Sequence, residues 1–216
     1  LARHTAAADA SLHQGKWERT KFVGTQLAGK TLGVIGLGRI GRLVAQKAQG
    51  LGMQTVACDP FVPSEAAPAL GVLMLELPDL LRQADYLTLH TPMTAQTQHL
   101  LDRSAFRCMR PGVRIVNCAR GGLIDEAALY EALQQGHVAG AALDVLAQEP
   151  AAPDYPLLRL PNVICTPHLG AQTVQAQERV GREVAQQMVD FFVHGRITHA
   201  VNAPDSALQS KIVSAA

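Results

Sequence analysis

Three polar residues, Arg120, Glu149 and His168, have the side-chain types needed to move a proton beside a small anion. Arg120 follows an apolar run in VNCARGGLID, between Ala119 and two glycines. A guanidinium grips a carboxylate through two parallel hydrogen bonds, and glycines let a ligand approach the backbone. Pairing with a nearby acid to hold the loop is the alternative, and position alone does not choose between the two. His168 stands in NVICTPHLGA, where an apolar run breaks at Thr166-Pro167. An imidazole beside a carboxylate donates and accepts protons near neutral pH. Glu149, just before Pro150, is the candidate carboxylate, and Asp144 stands at another expected strand end in LDVLAQEP. The competing reading of His168 is a hydrogen-bonded loop histidine. A metal site is disfavoured, because no second His or Cys has ligand spacing nearby. His4, His13, His90, His99, His137, His194 and His199 fall in helices or surface loops with no obvious partner. Of these, His90, before Thr91-Pro92, is the one expected near a cofactor.

The segment GLGRIG carries Gly36, Gly38 and Gly41 in G-x-G-x-x-G spacing, after an apolar run and before a helical pattern. The first glycine permits a tight turn, the second lets a pyrophosphate approach, and the third lets the helix close on the strand. The new helix offers unpaired N–H groups to the phosphates. Asp59 lies 18 positions past Gly41. A carboxylate there binds ribose hydroxyls and repels a 2′-phosphate, which favours NAD over NADP. A glycine turn in a cofactor-free protein, with Asp59 as a cap, is the competing reading.

The elements that must position these residues alternate. Short β-branched runs (KTLGVIG, MQTVACDP, DYLTLHTP, GVRIVNCA, VAGAALDV, NVICTP) are separated by helical patterns. The helices are GRIGRLVAQKAQGLG, with Ile40, Leu43, Val44 and Ala48 as its apolar residues, then LPDLLRQA, DRSAFRCM and DEAALYEALQQG. Asp125 is the expected N-cap of the last of these, and Gly136 its stop. A long amphipathic helix follows over Thr173–Gly195, with Val180, Val184, Met188 and Phe191 near one face. Alternation of this kind implies an α/β, doubly wound parallel sheet covered on both sides. Ligands then bind beyond the carboxyl ends of the strands, which puts Gly36, Asp59, Thr91, Asn117, Asp144 and Thr166 on one rim. PFVPSEAAPAL and EPAAPDYPLLRLP read as proline-rich loops.

Hydrophobic residues make up 48% of the chain, enough for an ordered core. The net charge of +1 and 4% aromatic content argue against nucleic-acid and membrane-surface partners. No apolar run reaches membrane-spanning length. Cys58, Cys108, Cys118 and Cys165 show no C-x-x-C spacing. Three of them lie in or beside strands expected to be buried, so they are read as reduced thiols in a cytoplasmic protein. The opening LARHTAAADASL lacks an initiator Met and reads as the middle of a helix, as in an excised piece of a longer chain.

The ordered set GKTLGVIGLGRIG, CDP, LHTP, VNCARGGLIDEAAL, AGAALDV, EP and VICTPHLGA resembles the D-isomer-specific 2-hydroxyacid dehydrogenases over roughly residues 1–202. The stretch GKWERTKFVG narrows the likeness to a branch whose substrate carries a phosphate. The resemblance implies a Rossmann-type NAD-binding domain and a small 2-hydroxy acid substrate. By position, Arg120 would bind the substrate carboxylate and carbonyl. His168 would be the general acid/base, oriented and kept protonated by Glu149. Arg39 and Ile40 would cradle the pyrophosphate, Asp59 would hold the adenosine ribose, and Thr91 and Pro92 would lie along the cofactor. Cys118, Ala119, Arg120, Asp144, His168, Leu169, Gly170 and Ala171 would surround the nicotinamide and its ribose, with Cys118 a contact and not a nucleophile.

The resemblance also implies an organisation. Residues 1–29 would be an interdomain helix and crossing, residues 30–172 the NAD-binding domain, and residues 173–216 a return helix and the start of a substrate-binding domain, with AVNAPDSAL as the re-entry. Most of that second domain would be missing, so the chain should bind NAD and turn substrate over poorly. A homodimer through this domain is expected, by the helix near Trp17 and Phe22 or by the final helix. A glyoxylate or hydroxypyruvate reductase of the same family is the second enzyme reading, and an NAD-sensing scaffold, like the corepressors of that family, is the reading from a different class.

Overall fold

In a computed structural model that describes residues 1–63 and 67–200, the apolar run of residues 31–35 is a central strand. This strand, β1 (Thr31–Ile35), pairs in parallel with β2 (Gln54–Cys58) on one side and β4 (Tyr86–Leu89) on the other. Beyond β2 lies β3 (Leu73–Met74). Beyond β4 come β5 (Val113–Asn117), β6 (Val138–Leu143) and β7 (Val163–Cys165). The order is β3-β2-β1-β4-β5-β6-β7 with every pair parallel, so the winding direction reverses between β1 and β4. That reversal opens a crevice at the carboxyl ends.

The register aligns those ends. Ile35 pairs with both Cys58 and Leu89, Leu89 with Asn117, Asn117 with Leu143, and Leu143 with Cys165. The next residues, Gly36, Asp59, His90, Cys118, Asp144 and Thr166, therefore leave the sheet at one level. Side chains alternate between two cores. Leu32 and Val34 of β1 join Leu37, Ala45, Ala48 and Tyr86 on one face. Ile35 joins Leu87, Leu89, Ile115, Leu129 and Leu143 on the other.

The helices of this part are α1 (Thr5–His13), α2 (Arg39–Gly50), α3 (Leu77–Gln83), α4 (Arg103–Cys108) and α5 (Glu126–Gln134). Asp125 caps α5 as expected, accepting from Ala127 N–H and Ala128 N–H, and Gly136 follows the helix with φ 71°. Asp102 caps α4 through Ala105 N–H. The face that α2 buries differs from expectation. Gly41, Ala45 and Ala48 are buried, whereas Ile40 and Leu43 are 64% and 54% exposed. Small residues win because the helix must come close to the glycine turn; a Cβ at Gly41 would lie 2.0 Å from Gly36 O.

Further differences are local. The two-residue β3 and 3-10 turns at Arg19–Phe22, Pro68–Leu70 and Pro156–Arg159 were not read from the sequence. The first helix starts at Thr5, after His4 at φ 52°, so the opening residues are not helix interior. Trp17 lies between α1 and the Arg19–Phe22 turn, not on a helix, and is 80% exposed. Residues 64–66 of PFVPSEAAPAL, and AVNAPDSAL beyond Ala200, lie outside the described residues.

The chain divides into two compact units, Leu1–His168 and Leu169–Ala216. Within the second, α6 (Val174–His194) is capped by Thr173 Oγ1, which accepts Ala176 N–H, and ends at Gly195 with φ 59°. Val180, Val184, Met188 and Phe191 of α6 stay about half exposed. No helix among the described residues is long and apolar enough to cross a membrane.

Candidate active site

The glycine loop is shaped from both sides. Gly36 has φ 92°, and a Cβ there would meet the His90 backbone at 2.7 Å. Leu37, fully buried, has its N–H bound to Asp59 Oδ2 at 2.7 Å and its carbonyl to Arg42 Nε at 2.9 Å. Gly38 is different. A Cβ on it would meet nothing within 4 Å, and it is the N-cap of α2 with no side chain serving the helix N–H groups. Bare backbone, free space and a helix N-terminus together form a cradle for a phosphate. Arg39 and Ile40 are exposed on the first turn beside it. Asp59 accepts Phe61 N–H at 2.9 Å through its other oxygen, so the carboxylate is held at the end of β2. Each oxygen retains a lone pair, the arrangement a ribose diol requires. The residues present fit a dinucleotide.

At the end of β4, His90 Nε2 lies 3.0 Å from Thr88 Oγ1, and burial pushes the imidazole pKa below its ordinary value. Thr91 and Pro92 continue along the rim, half-buried and exposed respectively. At the end of β5 the chain turns around Asn117, which is 2% exposed. Its Nδ2 donates to Arg120 O at 2.9 Å and its Oδ1 accepts Ala119 N–H at 3.0 Å. This local bracket sets the 118–120 turn. Cys118 is exposed there, not buried, yet partial desolvation and then Asp144 push its thiol pKa up. A protonated thiol is a poor nucleophile. Arg120 is turned to solvent, with Nη1 donating to Ala119 O at 2.6 Å. Among the described residues it forms no ion pair.

At the end of β6, Asp144 is buried and accepts the Thr166 hydroxyl from the end of β7. Two residues on, His168 takes φ 55°. Its Nδ1 meets Glu149 Oε2 at 2.8 Å. Glu149 Oε1 accepts Leu146 N–H at 3.0 Å. The hydrogen bond from His168, and then that from Leu146, hold the Glu149 carboxyl below the usual carboxylate range. An ionised carboxylate only accepts, so Nδ1 carries the proton and Nε2 is left for another partner. Beside the pair lies a cavity of about 440 Å³, with Asp144, Leu146, Thr166 and Cys165 in its wall.

The structure thus places Gly36, Gly38, Arg39, Ile40, Gly41, Asp59, Thr91, Pro92, Cys118, Ala119, Arg120, Asp144, Glu149 and His168 in the segments that follow the carboxyl ends of the strands. Leu169, Gly170 and Ala171 belong to the second unit. Sequence reasoning missed the brackets: Asn117, Arg42, and the Thr166 hydroxyl as partner of Asp144. An asparagine closing an otherwise apolar strand was the available signal for the first. Others of the histidines besides His90 do have partners: His13 lies 3.6 Å from Asp9, and His137 Nε2 is 2.8 Å from Phe106 O.

Comparison with known proteins gives the family. Residues 1–170 match the family model described as D-isomer specific 2-hydroxyacid dehydrogenase, NAD binding domain. D-3-phosphoglycerate dehydrogenase of Rattus norvegicus is 51% identical over 203 residues, covering 94% of this chain and 38% of that protein. The chain therefore spans about two fifths of the length of the curated relatives it matches. A glyoxylate reductase from Paecilomyes thermophila superposes with TM-score 0.85 at 33% identity, over 95% of this chain and 61% of that one. D-lactate dehydrogenase from Aquifex aeolicus, solved with NAD and lactic acid, gives 0.82 at 32% identity, over 90% and 63%. With the family model covering most of the chain and the glycine cradle intact, this chain belongs to the D-isomer specific 2-hydroxyacid dehydrogenases and carries their NAD-binding domain.

Proposed function

We propose that the chain is the cofactor half of a dehydrogenase that oxidises D-3-phosphoglycerate to 3-phosphohydroxypyruvate. The observation that carries this is the His168–Glu149 pair, with no partner on Nε2 among the described residues, on the same rim as Arg120 and the Gly38 cradle. In this reading Arg120 binds the substrate carboxylate, and His168 Nε2 takes the proton of the substrate hydroxyl. Glu149 fixes the ring and balances the charge formed on it. NAD, when bound, accepts the hydride leaving the carbinol carbon. Asp59 holds the adenosine ribose and the first turn of α2 faces the pyrophosphate. Thr91, Pro92, Cys118, Ala119 and Asp144 border the nicotinamide side. Residues 1–29 lead into the domain at 30–172, and residues 173–216 lead towards a substrate-binding domain that supplies the contacts to the phosphate. Identity of 51% to an enzyme of this name supports the choice of substrate. A second copy joined through this domain, in a cytoplasmic enzyme, completes the proposal.

Two measurements test it. Titration calorimetry on the chain should show NADH binding at least roughly tenfold tighter than NADPH, because Asp59 opposes a 2′-phosphate. Equal binding of both removes the role given to Asp59. In the protein with its substrate domain, D-3-phosphoglycerate should be the preferred hydroxy acid. Turnover of glyoxylate or hydroxypyruvate alone would make the chain part of a reductase instead. NAD-dependent peptide capture without any turnover would make it a scaffold.

A further inference from the structure

We propose that Glu126 is a positioning residue for the His168–Glu149 pair, acting through the Leu146–Ala147 peptide. The inference deepens the dehydrogenase reading and rests on it for the meaning of His168. Glu126 is the first residue of α5, yet its carboxylate serves the segment between β6 and β7. One oxygen, Oε1, accepts Ala147 N–H at 2.8 Å. The other, Oε2, accepts the Tyr155 hydroxyl. The neighbouring amide, Leu146 N–H, donates to Glu149 at 3.0 Å, and Glu149 in turn holds His168 Nδ1 at 2.8 Å. Two consecutive N–H groups thus run to two carboxylates, one anchored on a helix and one anchored on the histidine.

The segment needs such an anchor. Residues 147–150 are exposed and belong to no helix or strand, so little buried apolar surface holds them. The same peptide also bounds the Arg120 loop: a Cβ on Gly121 would lie 1.9 Å from Leu146 O. A shift of Leu146–Ala147 therefore reaches both the histidine and the arginine side of the rim. Tyr155 stays a proton donor, because burial and then Glu126 push its phenol pKa far up. A first-turn acid also has a simpler explanation, favourable charge at a helix N-terminus. The two explanations depend on different properties of the side chain. The helix dipole needs the charge; the clamp needs the reach.

Conservative variants separate them. E126Q keeps the reach and loses the charge. Its carbonyl oxygen can accept Ala147 N–H while its amide donates to the Tyr155 oxygen. E126D keeps the charge and falls short by one methylene. The readout is nitrogen-15 NMR of the His168 ring in this 216-residue chain, recorded at alkaline pH. A free neutral imidazole favours its proton on Nε2, whereas Glu149 in place holds it on Nδ1. The expected result is a dominant Nδ1–H signature in the parent chain and in E126Q, and its loss to the Nε2–H form in E126D and E126A. Y155F, which removes one of the two donors and leaves the carboxylate, should give a mixture. An E126D chain that keeps the parent signature, or an E126Q chain that loses it, overturns the clamp and leaves the dipole explanation. If E126A fails to fold, the E126Q and E126D pair still decides. Because no substrate is used, failure here is distinct from failure of the dehydrogenase reading, which turnover reports.

Discussion

Replacing Gly38 with Ala should separate cofactor binding from folding. The added Cβ meets no protein atom within 4 Å, and the backbone at φ −72°, ψ −162° is open to an L residue. Two small effects act on the chain without ligand. Ala is a worse N-cap than Gly, at a cost of roughly 0.5–1 kcal/mol. Loss of glycine's freedom in the unfolded chain returns about 0.4–1 kcal/mol. The net change is within about 0.5 kcal/mol, so the melting temperature should move by less than about 2 °C for a chain of this size. Binding should not be spared. The methyl group occupies the space where a pyrophosphate oxygen must approach the backbone. Losing one charge-assisted hydrogen bond there costs about 1.5–3 kcal/mol, or roughly 10- to 150-fold in NADH affinity. Thermal unfolding and calorimetric titration of G38A read the two quantities separately. Gly41→Ala is the opposite case. Its Cβ would lie 2.0 Å from Gly36 O, so the melting temperature should fall by several degrees before any ligand is added. NADH affinity in G38A equal to the parent, or a large loss of stability in the ligand-free variant, would refute the assignment of this cradle.

Burial lowers the His90 pKa, so the folded chain excludes a proton that the unfolded chain accepts. Its stabilising contribution is complete above the unfolded value of about 6.5 and is lost as pH falls through and below it. Melting temperatures from about pH 8 to pH 5 should fall, and His90→Gln should reduce the slope of that fall. Asp125 accepts two N–H groups at the start of α5, each at 3.1 Å. Asp125→Ala should therefore cost about 1 kcal/mol, read from the urea midpoint of the chain. Gly121→Ala places a Cβ 1.9 Å from Leu146 O. It should destabilise the chain by roughly 1–3 kcal/mol and lower turnover in the complete enzyme more than it weakens NADH binding, which parallel kinetics and calorimetry can show.

The rim was legible because local signals coincide there. The apolar runs stop at Gly36, Asp59, His90-Thr91, Asn117, Asp144 and Thr166, and parallel register carries those stops to one level. Asp125 and Gly136 were legible for the same reason, since caps act within three residues. What escaped depends on contacts that no short window contains. The apolar pattern of α2 ranks Ile40 and Leu43 above Gly41 and Ala45, yet closeness to Gly36 selects for size, not apolarity. Glu126 looks like an ordinary first-turn acid until Ala147 and Tyr155, 21 and 29 positions away, arrive beside it. Strand β3, two residues long, has no period to detect. Arg120 can be read either as a grip or as a tether; among the described residues it has no acidic partner, and its Nη1 donates to Ala119 O.

The two margins of the sheet are its shortest strands, β3 with two residues and β7 with three, against four to six in the interior. A truncated margin offers few unpaired amides for a stray strand to zip onto. Growth of the sheet from one molecule into the next, the usual first step towards fibrils, therefore has little template here. A crowded solution of this chain should stay free of β-rich aggregates while the fold is intact, and partial unfolding that frees β5 or β6 is the condition under which they would start.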